Sequence, residues 1–228
     1  MRRALRLLEF AVLYFGTPLA LLWVPVVAER RFHVRLNAWV IPALLLLTLA
    51  VVVAARLRGA LRFGELFACR GVPAREWARM LGRFAAGAAL LAALLWWHDP
   101  AKLWVFPRTH PRFWLVVMAC YPVFSVFAQG ILYRWLFERR YAPVFPSRAA
   151  SLAAGAVAFS FAHVLFRNGW ALAFTLVGGV LFLSSYRRTR SVLFSDIEHA
   201  LYGDFLFTVG WGAYFFEGTQ KLAAAVAG

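Results

Sequence analysis

Strongly polar side chains interrupt three apolar stretches of the sequence, and some of them are of types that hydrolytic chemistry uses. The stretch Phe127–Arg134 (FAQGILYR) contains Gln129, and two later apolar stretches contain His163 and His199. Ionisable groups are costly in hydrocarbon, so buried ones are functional candidates by default. A neutral imidazole can act as a base when burial tunes its basicity. We therefore expect one intramembrane pocket to which three helices contribute.

The spacing of neighbouring residues shows which side chains share a helix face. Asp196, His199 and Gly203 lie on one face of the last stretch by the three-and-four rule, whereas Glu198 points to another side of the helix. His163 follows Phe159 by four residues, so these two also share a face.

Gly130 and Arg134 are likewise four residues apart in the first stretch. We expect that a side chain at position 130 would meet the Arg134 guanidinium. Glycine supplies no such side chain. Gln129 lies one and a half turns from Arg134 and does not share its face.

Composition determines the class of protein. Of the 228 residues, 63% are apolar, and the mean hydropathy is +0.68. Stretches of about 18 or more apolar residues separated by Arg-rich segments are typical of a polytopic helical membrane protein. We predict an all-α transmembrane bundle in a single membrane domain covering residues 1–228, in which 1–112 hold the first spans and a basic loop and 113–216 form the core with the motifs. Seven spans are expected, at about 10–28, 38–55, 81–97, 113–136, 148–166, 169–186 and 191–213.

The net charge of +15 favours a membrane surface over nucleic acid. Most basic residues sit at the ends of apolar runs, where they orient helices and contact anionic headgroups. With the N-terminus inside, the inner segments hold 15 Lys and Arg residues and the outer segments 8. This asymmetry predicts a cytoplasmic N-terminus. The Arg-rich and Ala-rich composition indicates a bacterial inner membrane protein, and the apolar run after Met1 is expected to be the first span rather than a cleaved signal.

Neither cysteine indicates a metal or disulfide scaffold. Cys69 and Cys120 lie in a loop and a span without a Cys-x-x-Cys pattern. His163, His199 and Glu198 could ligate zinc, and two helical histidines could bracket a haem. No two histidines are spaced by four residues, so no cofactor is expected and zinc remains the less favoured alternative.

Three motifs in order resemble those of the CPBP intramembrane proteases, which include CAAX-processing endopeptidases of the Rce1 type and bacterial relatives. That family carries Glu-Glu-x-x-x-Arg, then Phe-x-x-x-His, then His-x-x-x-Asn on successive membrane helices. This chain has Gln129-Gly130-Ile-Leu-Tyr-Arg134, Phe159-Ser-Phe-Ala-His163 and His199-Ala-Leu-Tyr-Gly203-Asp204. The resemblance covers residues of about 113–216.

The resemblance implies a set of roles. His163 would be the base or the ligand of the attacking water, His199 would stabilise the oxyanion, and Gln129 and Arg134 would frame the pocket. The other pocket residues would be Gly130, Phe159, Asn168, Gly203 and Asp204.

The chain departs from the family at the carboxylates. Both glutamates of the family motif are missing, since Gln129 and Gly130 stand in their places, and Gly203 replaces the last Asn. Gln129 can orient a water but cannot take its proton. Glu198, next to His199, is the expected substitute carboxylate.

Two functions follow from this pattern. The first is an intramembrane endopeptidase that cleaves a peptide bond near the membrane in a membrane-anchored or C-terminal-tail substrate. The alternative is a catalytically inactive pseudoprotease of the same fold that binds a membrane partner. The first is favoured slightly.

Overall fold

Seven long helices make up most of the part of the chain that the structure describes. A computed structural model describes residues 2–32 and 40–215 and is 88% helical, with no strand in those ranges. The helices are α1 (Arg3–Arg31), α2 (Val40–Leu57), α3 (Ala74–His98), α4 (Pro111–Val144), α5 (Arg148–Phe166), α6 (Gly169–Thr189) and α7 (Val192–Val209). Shorter helical turns occur at Phe63–Leu66, Pro100–Lys102, Val105–Thr109 and Trp211–Tyr214.

The first six of these helices are long and apolar enough to cross a membrane. The protein is therefore an integral membrane protein, and the predicted all-α fold class is confirmed. The seventh helix has 18 residues but carries Asp196, Glu198 and Asp204, which set it apart from the other six in composition. The prediction of about seven spans is close to this result.

Local sequence explains where α5, α6 and α7 begin. Ser147, Asn168 and Ser191 each precede a helix, and each side-chain oxygen accepts a hydrogen bond from the backbone N–H three residues later. Such caps satisfy an N–H group that a helix start leaves without an intrahelical partner. Gly210 ends α7 with φ of +130°, and a Cβ there would collide with the Lys102 carbonyl oxygen. The positions of α5, α6 and α7 along the chain are thus fixed by short polar residues and a glycine.

The helix α4 is longer and less regular than predicted. It continues to Val144, eight residues beyond the expected end at 136, and contains two wide π-helical segments, Tyr121–Val126 and Ile131–Tyr141. Between them lies the α-helical turn Phe127–Gly130. Wide turns of this kind change the direction of side chains relative to a regular α-helix, and they are frequent at functional sites.

The helices α5 and α6 approach each other closely at small residues. A Cβ added to Gly179 would lie 2.8 Å from the Cα of Ala156 and 3.1 Å from its carbonyl oxygen. In membranes, where apolar burial drives helix association little, such close backbone packing is a main source of stability. It fixes the position of α5, and with it the position of His163 at the end of that helix.

The basic segment between α2 and α3 is a folded connection. It contains the turn Phe63–Leu66, and Leu61 and Leu66 are each 1% exposed, while Phe63 and Phe67 are each 55% exposed. No single helix spans residues 56–79, because α2 ends at Leu57 and α3 starts at Ala74.

Candidate active site

An arginine and an aspartate form a buried ion pair between α4 and α7. Arg134 is 1% exposed and Asp196 is 4% exposed, and the Arg134 Nη2 group donates a hydrogen bond to Asp196 Oδ1. The Phe182 ring lies 5.8 Å from the guanidinium carbon and covers its face. Arg134 is therefore held inside the bundle, and its partner is a residue that the sequence analysis did not include in the site.

Gly130 lies directly beside this ion pair. The three atoms nearest to a Cβ added at position 130 are both carboxylate oxygens and the carboxyl carbon of Asp196, all closer than van der Waals contact allows. The sequence predicted that a side chain here would meet the Arg134 guanidinium, but it is the Asp196 carboxylate that occupies this space. Glycine at 130 is what allows α7 to bring a carboxylate against α4.

The imidazole of His199 is fixed by three aromatic residues. Its Nε2 atom is 3.1 Å from the Tyr121 hydroxyl, its ring stacks on Phe182 with centroids 4.6 Å apart, and Phe159 meets it edge-on at 5.4 Å. A Cβ at Gly203 would overlap the Tyr121 ring, so that glycine makes room for the hydroxyl to reach His199.

His163 lies in the last, tighter turn of α5 and is oriented by its own helix. Its Nδ1 atom is 2.8 Å from the Phe159 carbonyl oxygen, which can only accept, so Nδ1 carries the hydrogen and donates it. A neutral ring with this tautomer leaves the lone pair on Nε2. Its centroid is 4.9 Å from the Phe159 ring, the same ring that contacts His199. Phe159 thus joins the two imidazoles from two different helices.

The other predicted pocket residues differ in their surroundings. Gln129 donates to the Ser125 hydroxyl at 2.8 Å, on its own helix. Asp204 is half-buried on α7, one residue beyond Gly203. Asn168 caps α6 and donates to the Tyr214 carbonyl at 2.7 Å, so its side chain is engaged in holding two chain segments together.

The Glu198 carboxylate is bound by side chains of α3 and α6. One carboxylate oxygen accepts from Arg83 of α3 at 2.8 Å, and the other accepts from the Ser185 hydroxyl of α6 at 2.5 Å. Glu198 is fully buried, and its pair with Arg83 connects α7 to α3. We expected Glu198 to act as the carboxylate beside His199. Among the described residues, its hydrogen bonds go to Arg83 and Ser185 instead.

Several buried side-chain polar atoms of α4 and α7 have no hydrogen-bond partner within the described part of the chain. They are Gln129 Oε1, Arg134 Nε, Trp135 Nε1, Asp196 Oδ2, His199 Nδ1 and Asp204 Oδ1. Buried polar atoms are nearly always paired with protein or water, so a concentration of unpaired ones is unusual. Acceptors and potential donors of this kind can bind a water or the polar backbone of a peptide.

Within residues 2–32 and 40–215, no group of three or more His, Cys, Asp or Glu side chains is arranged to hold a metal ion. The zinc alternative considered from His163, His199 and Glu198 does not correspond to a cluster in the structure. Glu198 is turned toward Arg83.

Sequence reasoning missed Tyr121, Phe182 and the role of Asp196 as the partner of Arg134. For Asp196 a signal was present, because it precedes His199 by three residues and shares its face. For Phe182 there was none, since it is one of 22 phenylalanines in the chain.

Comparison with known proteins finds one family model that matches the part of the chain with the two histidines. A family model described as type II CAAX prenyl endopeptidase Rce1-like matches residues 111–203. The match contains α4, α5, α6 and the part of α7 that carries Asp196 and His199. No curated protein and no solved structure matches the chain. Residues 111–203 of this integral membrane protein are therefore similar to the Rce1-like family, which confirms the resemblance predicted from the three motifs.

Proposed function

We propose that this protein is an intramembrane endopeptidase that hydrolyses a peptide bond near the membrane in a membrane-anchored protein or a C-terminal tail. The observation that carries the proposal is the meeting of His163 and His199 on the Phe159 ring, inside the segment that matches an endopeptidase family. The predicted cytoplasmic N-terminus and bacterial inner membrane are part of this proposal.

His163 supplies the acceptor for the attacking water. Because Nδ1 donates to the Phe159 carbonyl, the Nε2 lone pair is the free acceptor of the neutral ring. It binds the water as base or as ligand, and the fixed tautomer keeps that lone pair available without a change of ring orientation.

His199 stabilises the negative charge that forms on the carbonyl oxygen. When the Tyr121 hydroxyl donates to Nε2, the ring hydrogen is on Nδ1, the ring nitrogen without a partner in the described chain. A preorganised N–H donor in a site of low polarity is worth far more to a developing oxyanion than the same donor in water. Gln129 and Arg134 frame this site from α4.

The test compares peptide termini in membranes from cells that carry wild-type protein, His163→Ala or His199→Ala at matched levels. A fragment that appears with wild type and with the control His110→Ala, but with neither site variant, is the expected result. His110 serves as the control because it lies immediately before α4 and is hydrogen-bonded to the neighbouring Thr109 hydroxyl. Identical termini in all four membranes would exclude the endopeptidase.

A pseudoprotease that binds a membrane partner is the second candidate function. It is favoured by the absence of a carboxylate at Gln129 and Gly130 and by the closeness of Asp196 to a neutralising arginine. In that case all four membranes would have the same termini, and a photo-crosslinker introduced at position 129 would capture one partner reproducibly.

A further inference from the structure

The geometry at Gly130 places the side chain of Asp196, from a different helix, where a side chain of α4 would otherwise be. Both oxygens of the Asp196 carboxylate lie within the volume that a Cβ at position 130 would need. The carboxylate is buried and comes from the same face of α7 as His199, three residues earlier. Gln129 precedes Gly130 directly, so the carboxylate lies beside the turn Phe127–Gly130 of α4, which contains Gln129.

We propose that Asp196 supplies the carboxylate of the active site, delivered from α7 into the space that Gly130 leaves on α4. This inference rests on the proposed endopeptidase function. It gives the reaction a base that neither Gln129 nor Gly130 can provide, and it assigns Arg134 the task of holding that base in place.

The two oxygens of the carboxylate have different surroundings. Oδ1 accepts from Arg134 Nη2, whereas Oδ2 has no partner among the described residues although it is buried. An ion pair whose only purpose was structural would gain from a bidentate arrangement that used both oxygens, because paired parallel bonds are the stronger form. The open oxygen is the one we assign to the water.

The proposed step is balanced in atoms and electrons. Asp196 Oδ2 takes one proton from a water whose oxygen bonds to the peptide carbonyl carbon, while the carbonyl π pair moves onto the carbonyl oxygen near His199. His163 Nε2 accepts a hydrogen bond from the other hydrogen of that water. When the tetrahedral intermediate collapses, the C–N bond breaks, and the proton on Asp196 passes to the leaving nitrogen. The products are a carboxylic acid and an amine, and Asp196 is again a carboxylate.

The first arm of the test removes the charge without changing the shape. Asp196→Asn should lower the amount of the cleavage fragment by at least about a hundredfold, which is the low end for loss of general acid–base catalysis. The matched control is Glu138→Gln, another largely buried carboxylate paired with an arginine (Arg187, 2.5 Å) but at the inner end of α4. The control should retain cleavage in proportion to the folded protein. Cleavage by Asp196→Asn equal to that of the control would overturn the proposal.

The second arm moves the carboxylate back to α4. Asp196→Ala should be inactive, Gly130→Asp should be inactive because two carboxylates compete for one space, and the double variant Asp196→Ala/Gly130→Asp should regain part of the activity. A merely structural ion pair would not predict activity in the double variant. A double variant that folds as well as wild type, judged by its thermal midpoint in detergent, and is no more active than Asp196→Ala would overturn the proposal.

A failure of the proposed function gives a different pattern. If wild type and His163→Ala yield identical termini, the protein does not cleave, and the assignment of a base falls with the endopeptidase. The geometry is then checked by stability alone: Gly130→Ala should lower the thermal midpoint of the wild-type protein, and it should lower the midpoint of the Asp196→Ala variant by less, because the carboxylate that the new Cβ would meet is absent there. If His163→Ala abolishes cleavage and Asp196→Asn does not, the endopeptidase stands and Asp196 is excluded as its carboxylate.

Discussion

At the scale of single residues, the site depends on the buried ion pair of Arg134 and Asp196, which loses stability when either partner is removed alone. Arg134 and Asp196 are each almost completely buried, so neither is compensated by solvent. Removing one partner of a buried pair leaves an isolated charge in a medium of low polarity, and this is far more costly than removing both. The chemistry proposed for Asp196 therefore requires that Arg134 stay paired with it.

Substituting Arg134 by Gln is expected to destabilise the protein by about 3–5 kcal/mol, because Asp196 is left buried without its partner. The exposed pair of Arg139 with Glu65, 3.0 Å apart, offers the control, and Arg139→Gln should cost no more than about 1 kcal/mol. Unfolding in mixed micelles would measure both. Adding Asp196→Asn to Arg134→Gln should recover most of the loss, and a double variant less stable than Arg134→Gln would contradict the pairing.

Removing the Tyr121 hydroxyl tests the orientation of His199. Tyr121→Phe should reduce cleavage roughly five- to tenfold with little change in stability, since a single hydrogen bond contributes about 1 kcal/mol. Tyr202→Phe is the matched control, because that hydroxyl donates to the Arg83 carbonyl at 2.9 Å, away from the imidazoles. Equal cleavage by the two variants would show that the Tyr121 bond is not needed.

The sequence identified His163 and His199 as candidate site residues, but it could not predict which side chains surround them. Their type and depth in apolar stretches were visible in the chain itself. The contact between Asp196 and Gly130 was not, because it depends on the rotation of α7 against α4 and on the wide turns within α4. The spacing along α7 placed Glu198 and Asp196 on different sides of the helix, but it could not name Arg83 of α3 and Ser185 of α6 as the partners of Glu198.

At the scale of elements, the position of His163 depends on how closely α5 approaches α6. The Cα of Gly179 faces the backbone of Ala156, with no room for a side chain between them. Displacing α5 by the width of a side chain would move the Phe159 ring that joins the two imidazoles. The packing of small residues is thus coupled to the site.

Gly179→Val is expected to lower the free energy of unfolding by at least about 1–3 kcal/mol and to reduce cleavage, because α5 and α6 must separate. Gly82→Val is the control, since a Cβ at Gly82 of α3 would have nothing within 4 Å. Thermal unfolding in detergent and fragment yield measure the two effects. Equal midpoints for the two variants would show that α5 and α6 adapt without cost.

Helix boundaries were predictable where a capping residue marks them. The predicted starts at 148, 169 and 191 lie within one residue of the observed Arg148, Gly169 and Val192, each preceded by Ser or Asn. The prediction of α3 was wrong at its start, which lies at Ala74 instead of 81, because the polar first turns are basic and were assigned to the loop. The end of α4 was misplaced for the same reason, since its last turns contain Arg139 and Arg140.

At the scale of the whole molecule, the distribution of basic residues determines the expected orientation. With a cytoplasmic N-terminus, the connection from 58 to 73 lies inside and the connection from 99 to 110 lies outside. In a variant without native cysteines, an impermeant maleimide applied to intact cells should label Thr109→Cys but not Gly64→Cys, both of which are exposed positions. Labelling of position 64 and not of position 109 would show that the orientation is opposite to the predicted one.

The polarity of α7 has a consequence for the assembly of the protein in the bilayer. Each carboxylate placed at the centre of an inserting helix opposes insertion by about 2.5–3.5 kcal/mol, so α7 is a poor membrane segment by itself. Its two buried carboxylates pair with Arg134 of α4 and Arg83 of α3, both of which leave the ribosome earlier. Insertion of α7 is therefore favoured when α3 and α4, which carry its counter-charges, are already in the membrane. The ion pairs that build the site thus also make the insertion of α7 depend on the helices that precede it.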